Sequence, residues 1–283
     1  MVTGVYKSGL GQWQLARETL QRSIETCEQI GDRHLLAQGI AAMALVDHCQ
    51  GQFDAALARW RQTYDLGKGY GDIQVQAWGL LGQVEALLPL GEVEQARGLV
   101  EQAIVLLTNE DELVAEKIRL HGVSALVYWH QGESNNAQQA AAIALAQMRQ
   151  SSPVALYVFE GYSSVAEVCV KLWATQPSRQ LRQTVQEACW ALHTFAQAFP
   201  IGQPRALLCL GTTAWLQGHQ RRAQHQWQQA LTLAQRLKMP YEQGKIHLEW
   251  GQVLAATDQG AAQFHLDQAN HTLQSLGVRK PLN

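Results

Sequence analysis

A glycine followed five residues later by an alanine recurs along this chain at an almost fixed interval, and that beat limits the folds available to it. Gly11, Gly51 and Gly91 stand 40 residues apart and Gly132 follows after 41, answered by Ala16, Ala56, Ala96 and Ala137. Four residues beyond each alanine come Leu20, Trp60, Val100 and Ala141, and three further Ser23, Thr63, Ala103 and Ala144. Gly218 repeats the pattern late in the chain with Ala223, Trp227, Ala230 and Leu231. That spacing places a small-large-small stripe on one face of an amphipathic helix. Such a stripe cannot cover itself, so it must nest against a neighbouring helix of matching shape. Gly31-Asp32 and Gly71-Asp72 fall in phase between these units, a glycine closing one helix and an aspartate capping the next. A fixed period in this range predicts stacked helical pairs, a solenoid.

The grammar resembles the tetratricopeptide repeat, most fully around Gly211, Gly218, Ala223, Trp227 and Ala230. The resemblance implies an all-α, right-handed, TPR-like α–α superhelix (solenoid) of about seven helical hairpins. The first helices depart from the family pattern: Ala44, Val84 and Ala125 replace its glycine, and Asp47 or Leu87 stands where an aromatic is usual. A 40-residue period also exceeds the family's about 34, so longer helices and a non-standard superhelix are expected.

In chain order the pattern predicts one solenoid domain over 1–283, with a truncated first helix in 1–10 and regular repeats in 11–150. An irregular pair follows in 151–200, then C-terminal repeats in 201–277. Val2, Val5 and Tyr6 would belong to a first helix whose beginning is missing, covered by upstream chain or a partner. Asn109 with Glu112 resembles a capping box opening the helix that ends at His130. Val154–Thr175 and Ser178–Phe199 read as long helices, the last hairpin as having a short second helix, and Arg279–Asn283 as a fraying tail.

A narrower resemblance lies in Y-V-F-E-G-Y-S-S-V-A-E-V (Tyr157–Val168), F-P-I-G-Q-P-R-A-L-L (Phe199–Leu208), K-M-P-Y-E-Q-G (Lys238–Gly244) and H-L-D-Q-A (His265–Ala269). These look like the C-terminal repeat region of large bacterial signalling proteins, which place an adenylate/guanylate cyclase or kinase domain and a STAND-type AAA ATPase before such repeats. The similarity implies a sensor arm or scaffold for an upstream ATPase or cyclase domain, with no catalytic residue to carry over.

Composition narrows the partners. Lys and Arg number 22 against 24 Asp and Glu, a net charge of −2. With no basic stripe, no nucleic-acid partner is expected. Arg221, Arg222, Arg236, Lys238 and Lys245 make the last third locally basic, read as a solvated face. Charged or Gln residues interrupt every apolar run, so no membrane partner is expected and the location predicted is cytoplasmic. The five cysteines, Cys27, Cys49, Cys169, Cys189 and Cys209, are scattered through helical patterns and read as small buried apolar residues of a reducing compartment.

Catalytic constellations are missing. Gly67-Lys68-Gly69 lacks the spacing and the Ser/Thr of a phosphate loop. There is no H-E-x-x-H or C-x-x-C, and His219 and His225 face different ways on a helix, so neither metal nor other cofactor is expected. Glu160 and Glu167 lie two turns apart on one helix face, without a base, nucleophile or oxyanion donor, and read as lining a groove or bonding across helices. Trp13, Trp60, Trp190 and Trp227 read as core wedges.

What remains is a non-enzymatic binding domain for a protein or peptide, the alternative being a regulator gated by a small molecule or signalling peptide. In such solenoids the first helix of each pair lines the concave groove. Polar or aromatic residues interrupting those helices are therefore the candidate contacts: Gln38, His48, Trp78, Glu85, Arg119, Trp129, His130, Glu160, Tyr162, Glu167, Arg205 and Trp215. Each has a packing reading as well.

Overall fold

The computed structural model describes residues 1–153 and 155–279, and every regular element among them is helical. Fourteen α-helices form seven hairpins: α1 (Val2–Gly9) with α2 (Trp13–Ile30), α3 (Arg33–Cys49) with α4 (Phe53–Tyr70), α5 (Ile73–Leu87) with α6 (Val93–Leu107), and α7 (Val114–His130) with α8 (Ser134–Met148). They continue as α9 (Phe159–Thr175) with α10 (Arg179–Ala198), α11 (Gln203–Leu216) with α12 (Gln220–Arg236), and α13 (Pro240–Leu254) with α14 (Gln259–Ser275). Single 3₁₀ turns precede α9 and α11.

The recurring glycines turn the hairpins. Gly11, Gly51, Gly91, Gly132 and Gly218 all adopt φ between 71° and 81°, which costs a residue without Cβ little. The next amide then reaches the carbonyl five residues back, as Gln52 does to Asp47 and Glu133 to Tyr128, satisfying the last open carbonyls of the helix. The answering alanines Ala16, Ala56, Ala96, Ala137 and Ala223 are completely buried. Asp32 and Asp72 cap α3 and α5 by accepting from the amides of Leu35 and Val75.

Close approach explains the tryptophans. A Cβ on Gly211 would lie 2.5 Å from the Trp227 ring, and one on Gly82 only 2.1 Å from the Trp60 ring. α5 thus carries its contact glycine two positions before Val84. α7 and α9 meet backbone to backbone, a Cβ on Gly122 falling 2.3 Å from the Gly161 carbonyl oxygen.

Several expectations are corrected. α7 begins at Val114 after Leu113, with no side-chain cap, so Asn109 and Glu112 form no capping box. α14 is a full 17 residues. Trp13, Trp60 and Trp227 are buried wedges, but Trp190 is 70% exposed. Lys245 leaves the solvated basic face and lies largely buried against Glu167. Outside these corrections, Val2 and Tyr6 of α1 are exposed and Val5 is half-buried in the chain by itself. Val154 and the tail beyond Arg279 lie outside the described residues. All five cysteines are buried and free.

The array curls until its ends meet. Trp13 Nε1 donates to the Leu237 carbonyl, the Leu237 side chain lies against the Gly11 turn, and Leu276 lies against Gly51. Phe53 meets Tyr241 edge to face with ring centres 5.0 Å apart, and Arg279 pairs with Glu92 at 2.9 Å. The exposed area is 12817 Å², close to the about 12,000 Å² of a compact monomer of 31.4 kDa. The open concave groove is therefore largely closed.

Candidate binding site: an aromatic pocket beside a buried charge network

The residues selected from sequence separate into two neighbouring environments and three outliers. The first environment is a chain of buried ions at the seam between the early and late hairpins. Arg119 on α7 grips Glu85 on α5 through two hydrogen bonds of 2.6 and 2.7 Å, with the guanidinium fully buried. Arg205 on α11 does the same with Glu242 on α13 at 2.7 and 2.6 Å. Arg205 also lies 3.7 Å from Glu160 and 3.5 Å from Glu167 on α9. His48 Nε2 on α3 meets Glu160 at 3.3 Å, and Lys245 donates to Glu167.

Burial alone would raise the Glu160 pKa, but Arg205 and His48 overcome it and hold the carboxyl at about 2. Glu167 is likewise held well below the ordinary carboxylate range against its burial, chiefly by Lys245 and Lys171. Arg205 stays charged because the surrounding carboxylates outweigh its desolvation. His130, half-buried beside Glu167 and Lys245, is pushed down to about 4 by burial, so its ring is neutral near pH 7. Each carboxylate here has an arginine or lysine within 3.7 Å, and Arg205 is shared among three of them. These groups offer a partner no free guanidinium or carboxylate.

Three selected residues belong to neither environment. Tyr162 is buried against Phe195, Trp215 lies against Trp227 with centroids 5.7 Å apart, and Trp129 is half-buried at the edge of the apolar core.

The second environment holds Gln38 and Trp78. It is a recess of about 250 Å³ between α1, α3 and α5 on one side and the segment before α9 with Phe199 on the other. Its walls are aromatic (Trp60, Trp78, Tyr157, Phe199) and aliphatic (Val5, Ala41, Ala42, Leu45, Leu156). Gln38 is half-buried there, and the Ser8 hydroxyl is spent on the Gly4 carbonyl. Trp60 Nε1 is buried without an acceptor among the described residues. The Arg119 guanidinium lies 5.0 Å from the Trp60 ring centre and 6.0 Å from that of Tyr157.

Behind the recess, Glu116 on α7 is 1% exposed. One of its oxygens accepts from Tyr157 Oη at 2.7 Å and from Trp78 Nε1 and Gln74 Nε2 at 2.9 Å each. Sequence reasoning missed Trp60 as a wall, and also Tyr157, Phe199 and Glu116. Tyr157 and Phe199 stand in the proline-flanked stretches between hairpins, where a helical period gives no facing. Glu116 occupies a first-helix position, and its charge in an otherwise apolar face was the available signal.

No family model and no curated protein matches the chain. Among solved structures, BtubC (BKLC) from P. vanneervenii is similar with a TM-score of 0.51 and 16% identity, over 81% of this chain and 94% of that one. A monomeric mutant of IFIT1 with Gppp-AAAA is similar with a TM-score of 0.56 and 15% identity, over 94% of this chain. The match spans 57% of that IFIT1 chain. A second IFIT1 structure, with m7Gppp-AAAA, gives a TM-score of 0.52 and 14% identity over 95% of this chain and 68% of the other. At these identities the likeness is one of fold, a helical solenoid, and nothing among these matches carries the signalling-protein resemblance. The expectation of no nucleic-acid partner is withdrawn. IFIT1 shares the fold and was solved with capped oligonucleotides, so a net charge of −2 is no ground for excluding that class. No helix among the described residues is long and apolar enough to cross a membrane.

Proposed function

We propose that this chain is a non-catalytic binding scaffold that holds a protein or peptide partner, with the aromatic recess between α1, α3 and α5 as its anchor site. The observation that supports the reading is the contrast on the inner face. Elsewhere its arginines and carboxylates are engaged in buried ion pairs, whereas the recess gathers four aromatic walls around a cavity of about 250 Å³. That volume lies just under the range of drug-sized ligand sites, about 300–1,000 Å³, and suits one side chain or headgroup. Aromatic walls give an inserted group large contact area at little entropy cost, the property of interface hot spots.

Selection of a random peptide library on the full chain tests the reading. Enriched peptides should bind wild type and lose at least about ten-fold in Ala42→Phe, which fills the recess, given a hot-spot contribution of about 1.4 kcal/mol or more. Peptides indifferent to Ala42→Phe would remove the recess as anchor. Saturable binding of a single-stranded oligonucleotide with no peptide enriched would remove the peptide reading itself.

A further inference from the structure

Five carboxylates are deeply buried: Asp47, Glu85, Glu116, Glu160 and Glu242. Four have an arginine within ion-pair distance: Asp47 lies between Arg17 and Arg59, Glu85 pairs with Arg119, and Glu160 and Glu242 share Arg205. Glu116 has no ion pair among the described residues. Its three hydrogen bonds come from neutral donors, two of them the polar edges of Trp78 and Tyr157, whose rings wall the recess. A buried charge without a counter-ion is costly, and here the unmatched negative charge sits directly behind an aromatic cavity.

Those two hydrogen bonds also act on the rings. Donating an indole N–H and a phenol O–H to a carboxylate draws electron density into the π-systems and deepens the negative potential of their faces. Ring faces of that kind attract cations, more strongly when water is excluded. The Arg119 charge beside Trp60 and Tyr157 would oppose a second cation, but Glu85 matches it bidentately. The net charge around the recess is that of Glu116.

The lining selects which cation. Ala41, Ala42, Leu45 and Leu156 offer no side-chain acceptor and Gln38 offers one amide oxygen, so at least part of the three N–H groups of a primary ammonium would go unsatisfied, each at a cost of about 1–3 kcal/mol. A quaternary ammonium has no N–H and spreads its charge over methyl groups that pack on apolar walls. We propose that the recess binds a trimethylammonium-class cation, held against the rings of Trp78, Tyr157 and Phe199 and balanced by Glu116. This rests on the recess being the binding site of the scaffold. The same chemistry occurs in free choline-like molecules and in trimethylated lysine.

Tryptophan fluorescence and calorimetry on the full chain test it with choline and with 3,3-dimethylbutanol, which has the same shape without the charge. Choline should bind saturably and at least about ten-fold more tightly than the alcohol, as a desolvated cation–π contribution of about 2 kcal/mol allows. Glu116→Gln keeps a carbonyl acceptor for Trp78 and Tyr157. It should weaken choline about ten-fold while leaving the alcohol unchanged, which separates loss of charge from loss of fold. Equal binding of choline and alcohol would overturn the proposal, as would no choline binding to folded wild-type protein.

Peptides carrying lysine or trimethyllysine form the second arm. Preference for the trimethylated peptide over free choline assigns the cation to a protein partner, and the reverse assigns it to a small molecule. Choline binding with no library peptide enriched leaves the cation site standing and removes the peptide reading. Enriched peptides with no response to choline do the opposite.

Discussion

Arg119 and Arg205 carry full charges where water hardly reaches them, and each is tolerable only because a carboxylate meets both arms of its guanidinium. Breaking such a pair strands the remaining ion. Arg119→Met should cost about 3–5 kcal/mol in chemical denaturation, whereas Arg119→Met with Glu85→Leu should recover most of that loss. A double variant as unstable as the single one would contradict the pairing. The histidines give a pH dependence of definite sign. Burial lowers the pKa of His130 to about 4, and burial with His265 nearby does the same for His247. The unfolded chain protonates near pH 6.5. Stability is therefore fully present above about 6.5, falls as pH drops toward 4, and levels off for these groups below that. Denaturant midpoints from pH 7.5 to 4 should show the fall, reduced in His247→Phe. At this scale the sequence was half legible. An Arg or Glu interrupting an apolar first helix marks the inner face correctly, but whether it meets solvent or another ion depends on a partner 34 or 37 residues away, which helical periodicity does not report.

Five of the seven hairpins turn on a glycine that takes positive φ, each answered by a small residue that admits its neighbour, and both are visible as letters in the sequence. What the letters do not disclose is which glycine receives which large side chain. Trp227 rests on Gly211 within its own hairpin, whereas Trp60 on α4 rests on Gly82 of the following one. Gly82→Ala should therefore cost about 1–3 kcal/mol by overpacking against the Trp60 ring. Gly98, inside α6, has no atom within 4 Å of a Cβ, and Gly98→Ala should stabilise by about 0.5–1 kcal/mol through helix propensity alone. Thermal and denaturant unfolding of the two variants separates these signs. The irregular stretch before α9 was legible only as a break in the beat. It supplies Tyr157 to the recess, so the pocket arises where the repeat pattern lapses.

Over the whole molecule, seven hairpins that a local pattern describes as a ladder instead bend far enough for the first turns to meet the last helices. Leu237 against Gly11, Tyr241 against Phe53 and Leu276 against Gly51 make that junction. Such contacts span some 190 to 230 residues, a range over which repeat spacing carries no information. Closure has two consequences: it buries the charge network, and it leaves the recess between α1, α3 and α5 as the inner-face opening walled by aromatic rings. Small-angle X-ray scattering of the intact chain measures closure directly. The closed form predicts a radius of gyration of about 19 Å and a compact distance distribution, as for a globular protein of this length. A value about a quarter larger, with a long tail to the distribution, would show an open ladder and contradict both the sealed ion pairs and the isolated pocket.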